Sequence, residues 1–209
     1  MKRNIITLIF ALFAMTQAGA QTYDNLWKQA QTYQRKDLPK SEIGVMKKIV
    51  SKATASKDYG QLLAAELRQT VLWQEISSDS LMPAVRRMEA EVMRTSDPVL
   101  KAVRYAALGK FYREHPYAIE VDDEAIAARR ERYDVNQDKS KEFFLKALAQ
   151  PELLAKHYST EYVPLTLKGV DGTTFNNDLL HLIGFEADCK EAYQLMHTYY
   201  NKVGNRGAA

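Results

Sequence analysis

Tyr59-Gly60-Gln61-Leu62-Leu63-Ala64-Ala65-Glu66-Leu67-Arg68-Gln69-Thr70-Val71 decides the fold class. Tyr59, Leu62, Leu63, Leu67 and Val71 recur at the spacing of one face of an amphipathic helix, with charged and polar residues between them. The same period extends outward in both directions. Upstream, Ile43, Met46, Ile49, Val50 and Ala53 predict one helix, and Tyr23, Leu26, Trp27, Ala30 and Tyr33 another. Downstream, Leu81, Val85, Met88 and Val92 form a fourth stripe, and Leu100, Val103, Ala107 and Phe111 a fifth. The chain is therefore expected to be all-α.

The junctions carry the matching chemistry. Asp37-Leu38-Pro39 separates the first two helices, with Pro39 placed for a first turn where its missing N–H costs nothing. Lys57-Asp58 joins the second to the third, Ser78-Asp79-Ser80 offers capping oxygens before the fourth, and Ser96-Asp97-Pro98 opens the fifth. Such short connections turn consecutive helices into antiparallel neighbours. Lys57-Asp58-Tyr59 and Ser96-Asp97-Pro98 open comparable helices, a faint repeat that suggests antiparallel helix pairs in a TPR-like right-handed solenoid or a helical bundle.

After His115-Pro116 the pattern changes. Residues 117–136 are dense in charge, with Asp122, Asp123 and Glu124 followed by Arg129, Arg130 and Arg132, and read as a connector. The expected organisation is a TPR-like helical subregion over 21–116, the charged connector over 117–136, and a C-terminal helical subregion over 137–209. Val163, Leu165 and Leu167 alternate before Asp171-Gly172, as a short strand or an extended loop. The tail from Gly204 is expected to fray.

Residues 1–20 read as a cleavable signal peptide. Lys2 and Arg3 precede the uncharged run Ile5 to Met15, and Ala18-Gly19-Ala20 is a small-x-small cleavage site, so the mature chain is expected to start at Gln21 after cleavage behind Ala20. The run is too short for a membrane span, which takes roughly 20 residues. No later segment is long and apolar enough to span, and Gln21 is not the Cys that a lipid anchor needs. The expected location is periplasmic or secreted. Loss of Lys2 and Arg3 takes the 29 basic residues to 27 against 26 acidic ones, a net charge of +1. Such a surface has no global pull toward nucleic acid or anionic lipid.

Motifs for catalysis are scarce. The sequence has no Gly-rich phosphate loop, no Gly-x-Ser-x-Gly and no His-Glu-x-x-His. His115, His157, His181 and His197 do not pair at helical spacing and read as surface or helix-end residues; no metal or cofactor is expected. The single cysteine, Cys189, falls on a stripe with Ala192, Tyr193, Met196 and Tyr200 and reads as a core residue. Acids 122–124 suit a helix N-terminus, and the arginines a solvated face. Tyr and Trp make strong binding anchors. Trp73 and Tyr112, at the edges of their stripes, are the candidate residues of a partner-binding groove.

Tyr23-Asp24-Asn25-Leu26-Trp27-Lys28, Lys36-Asp37-Leu38-Pro39-Lys40-Ser41 and Asp58-Tyr59-Gly60-Gln61-Leu62-Leu63 resemble the start of bacterial alpha-2-macroglobulin-like proteins, as do Pro151-Glu152-Leu153-Leu154 and Phe175-Asn176-Asn177-Asp178-Leu179-Leu180. The resemblance implies the N-terminal helical region of a larger exported protease trap. Such traps carry β-sandwich domains and a Cys-x-Glu-Gln thioester; here Cys189 precedes Lys190-Glu191-Ala192, so the trapping chemistry does not carry over. The expected function is an exported, non-catalytic protein-binding or scaffolding domain, whose partner is an envelope protein or the rest of a larger macroglobulin-like assembly. The alternatives are a stand-alone TPR-like adaptor of the cell envelope and an unrecognised enzyme.

Overall fold

The computed structural model describes residues 22–115, 127–166, 172–175 and 177–208. The predicted leader with its Ala20–Gln21 cleavage point lies outside them, as does the acidic run 122–124. Among the described residues five helices come first: α1 Tyr23–Arg35, α2 Pro39–Ser56, α3 Tyr59–Ile76, α4 Leu81–Arg94 and α5 Pro98–Glu114. Then come α6 Ala127–Ala147, the single turns α7 Pro151–Leu154 and α8 Gly172–Phe175, and the closing pair α9 Leu179–Ala187 and α10 Lys190–Lys202. The described residues are all-helical and contain no strand. An isolated bridge between Tyr158 and Asp178 is the nearest approach to one. The alternating stretch forms no strand as far as Thr166: the 3-10 turn Ser159–Tyr162 leads into the cis Val163–Pro164 bond, and Leu167 lies outside the described residues.

Side-chain caps fix several helix starts. The side chain of Thr22 accepts from the amide of Asn25, Asp58 from Gln61, Asp97 from Leu100 and Asp178 from His181, each satisfying an otherwise orphaned donor. Ser80 makes no such bond; Ser78–Ser80 forms a 3-10 turn and leads into α4 without a side-chain cap. The tail does not fray at Gly204. With a φ of 77°, Gly204 ends α10 as its amide and that of Asn205 bond back to the carbonyls of Asn201 and Tyr200 at 3.1 and 2.9 Å, the glycine-terminated helix stop. Asn205 Nδ2 then ties the tail to the carbonyl of Thr174 at 3.0 Å.

Adjacent helices run antiparallel, as their short connections require. Tyr23 at the start of α1 meets Ser56 at the end of α2, 3.0 Å apart. Between α5 and α6, Lys146 lies over the ring of Tyr105, while Lys139, two turns earlier, lies over Tyr112. This pair is close at Gly109, where a Cβ would stand 2.7 Å from the Phe144 ring. Ser140 Oγ donates to the Gly109 carbonyl at 2.7 Å in the same contact.

Three apolar clusters hold the helices. Leu26, Ile43, Met46, Ile49 and Leu72 join α1, α2 and α3. Leu81, Val85, Leu108, Phe111 and Phe143 join α4, α5 and α6. The largest draws Leu63, Val99 and Val103 from the first half together with Phe144, Leu148, Leu180 and Met196 from the second. Helix α6 runs unbroken across the position 136–137 and carries Phe143 and Phe144 into cores shared with α5, while residues 117–126 of the expected connector lie outside the described residues. Ion pairs bridge the same elements. Glu42, 3% exposed, takes Arg68 through two bonds of 2.7 and 3.0 Å, and Arg104 pairs with Glu66 at 2.9 Å.

Candidate functional site

Helix α9 organises the site. Leu179-Leu180-His181-Leu182-Ile183 is apolar on nearly every side, so the helix has more than one face to cover. Leu180 and Ile183 are buried in the largest core. A second face, with Leu182 and Glu186, fronts a cleft of about 450 Å³. A third is exposed and carries Phe185, 51% accessible.

The opposite wall of the cleft is built by Leu67 and Val71 of α3 and by Val103, Ala106, Ala107 and Phe111 of α5, with Leu165 and Thr166 closing one side. These α5 residues fall there because helical spacing carries Val103, Ala107, Lys110 and Glu114 along one face. Charge appears at the mouth. Lys110 Nζ stands 2.7 Å from Glu186 Oε1 and 3.2 Å from Glu114 Oε1. Arg113 donates to the Glu186 carboxylate and to the Glu186 carbonyl, tying α5 to the end of α9. His115, which ends α5, also lines the cleft and packs its ring on Phe111 with centroids 4.2 Å apart. Its Nδ1 is buried without a hydrogen-bond partner, and burial holds the imidazole below its ordinary pKa.

On the outer side, Phe185 meets Tyr193 of α10 edge to face, 5.8 Å between centroids and 89° between planes. Tyr193 is 40% accessible, and its hydroxyl donates to Asp188 Oδ1 at 3.0 Å. Asp188 adopts a left-handed conformation, φ 44°, in the two-residue connection, Asp188-Cys189, that places α10 against α9. Two large aromatic rings are thus open to solvent yet held in fixed orientation by each other and by the turn.

Comparison with protein-family models, with curated proteins and with solved structures finds no match to this chain. The site therefore rests on its own geometry.

Trp73 and Tyr112 do not form one groove. Tyr112 is 3% exposed; its hydroxyl donates to Glu89 at 2.8 Å and its ring stacks on Phe143 at 5.5 Å. The stripe argument fails there because α5 is buried on several sides, so a residue off the main stripe meets another helix instead of solvent. Trp73 is half-buried against the separate core of α1, α2 and α3.

Cys189 also departs from expectation. It is the N-cap residue of α10, half-buried, while Ala192, Met196 and Tyr200 fill the interior and Tyr193 turns outward. Among the histidines, His181 is buried at 7% exposure, stacked on Phe175 at 3.5 Å between centroids, and is not a surface residue. His157 bonds Glu161 at 3.0 Å and His197 faces Asn201, whereas the cleft histidine is His115. Among the described residues no group of three or more His, Cys, Asp or Glu is placed to hold a metal ion. No helix among them is long and apolar enough to cross a membrane.

Proposed function

We propose that this chain is an exported, non-catalytic domain that binds another protein, with Phe185 and Tyr193 as its anchor. The observation that carries this reading is the ordered, exposed aromatic pair. Aromatic side chains dominate binding hot spots because they cover large area at small rotamer cost. Here much of that cost is met before a partner arrives, since the rings orient each other and Asp188 holds the tyrosine hydroxyl. Lys190 and Glu191 are exposed beside them, the polar surround expected of a docking patch.

The resemblance to the leading helical region of bacterial alpha-2-macroglobulin-like proteins supports a partner within a larger exported assembly. The repeated antiparallel pairs from α1 to α5 are compatible with that scaffold role and with a stand-alone TPR-like adaptor of the envelope. In either setting the chain itself neither cleaves peptides nor traps proteases.

Co-purification of an exported partner with the full chain tests the reading. Phe185→Ala with Tyr193→Ala should abolish that co-purification and leave the helical circular dichroism unchanged. Retention of the partner by the doubly substituted chain, or inhibition of an added protease by the chain alone, contradicts the proposal.

A further inference from the structure

We infer that the cleft between α3, α5 and α9 is a second, separate site, for a small uncharged and largely apolar molecule that is held by shape and by one hydrogen bond to Nε2 of His115. Size is the first argument. A volume of about 450 Å³ falls within the range of roughly 300–1,000 Å³ common to small-molecule sites. Composition is the second. Leu67, Val71, Val103, Phe111, Leu182 and Ile183 give walls with little to bond. A peptide strand would bring an amide donor and a carbonyl acceptor per residue, which such walls leave unpaired at a cost.

The rim decides the charge of the occupant. Lys110 is engaged by Glu186 and Glu114, and Arg113 by Glu186, so two cations face two carboxylates and neutralise one another. An anionic or cationic ligand would have to give up its own water against apolar walls, beside a rim whose charges already compensate one another. Thr166 has its hydroxyl committed to the carbonyl of Ser159. That leaves His115, whose Nδ1 is sealed away, so a polar contact from its ring to an occupant runs through Nε2. Burial lowers the pKa of the ring and so favours its uncharged form, in keeping with an uncharged ligand.

Two dyes with one skeleton test the site on the full chain: uncharged N-phenyl-1-naphthylamine and its sulfonated relative 8-anilino-1-naphthalenesulfonate. The uncharged dye should bind saturably, one per chain, with a blue shift of its emission. The sulfonate should bind at least about tenfold more weakly, since it must be desolvated beside a compensated rim. Ala106→Trp, which places an indole in the cleft, should abolish binding with the circular dichroism unchanged; Leu182→Trp on the opposite wall is the second block, should the first not fold. His115→Phe should weaken binding about 2–10-fold, the range of one hydrogen bond. No saturable binding, equal binding of the sulfonate, or binding that persists in a folded blocked variant overturns the site. Unchanged affinity in His115→Phe overturns the hydrogen bond assigned to that residue.

Discussion

Cys189 begins α10 with φ −139° and ψ 153° and offers no side-chain bond to the orphaned amides behind it. A hydroxyl at that position can accept such a bond, worth typically about 1 kcal/mol. Cys189→Ser should therefore match or exceed the parent in thermal unfolding, where a core position would lose stability. The thiol, partly exposed at the edge of the largest core, should also react with a maleimide in the native state. Slow labelling that accelerates only on denaturation would restore the interior reading. Asp178 is the stronger constraint at this scale. It caps α9 through the His181 amide and accepts Tyr200 Oη at 3.0 and 3.1 Å, so one carboxylate fastens both closing helices. Burial pushes its pKa above the ordinary carboxylate value, although the His181 amide and the Tyr200 hydroxyl oppose the shift. The fold thus favours the protonated form. That contribution is fully present below the unfolded value, near 4, and is lost as pH rises through the raised folded value. Asp178→Asn keeps the cap and cannot titrate. Its stability relative to the parent should improve as pH rises from about 4 and then level off; a difference independent of pH contradicts the assignment.

Among the elements, the contact of α5 with α6 is the most exacting. Gly109 stands where any side chain meets Phe144, and Phe144 is fully buried, so the ring has little room to yield. Gly109→Ala should destabilise the protein by about 1–3 kcal/mol in urea unfolding, although alanine is the better helix former. A gain in stability would show that the two helices can separate without loss. The first five helices were legible in sequence because each carries apolar residues at helical spacing and is set off by a marked junction: Asp97 caps α5 as read, and Asp58, read only as a junction residue, caps α3. Beyond Glu114 the signal weakens for a physical reason. Helix α6 meets α5, α9 and α10, and the adjacent Phe143 and Phe144 enter different cores, so no single stripe marks it in the sequence. The Schellman-type stop at Gly204 was likewise hidden, because a terminal glycine in a polar tail looks the same whether it ends a helix in order or frays.

Over the whole molecule, sequence periodicity reached the class of fold but not the exposed aromatic pair proposed as the binding surface. Period identifies which residues could be buried; which apolar residues stay exposed depends on where other helices run out. Tyr193 shares a stripe with Ala192 and Met196 yet lies outside, at 40% exposure, with its ring edge to face with Phe185 near the end of α9. Tyr112 is the reverse case, enclosed by α4 and α6. His115 ends its helix, in keeping with its helix-end reading, but nothing local to it announces a cleft assembled from α3, α5 and α9. The central claim is that the Phe185–Tyr193 surface holds a protein partner, and photocrosslinking in the producing cell tests it most directly. With p-benzoylphenylalanine in place of Tyr193, irradiation should yield one discrete adduct with an exported protein, and Phe185→Ala should remove it. Absence of any adduct, or one that persists unchanged in the Phe185→Ala chain, would contradict the account.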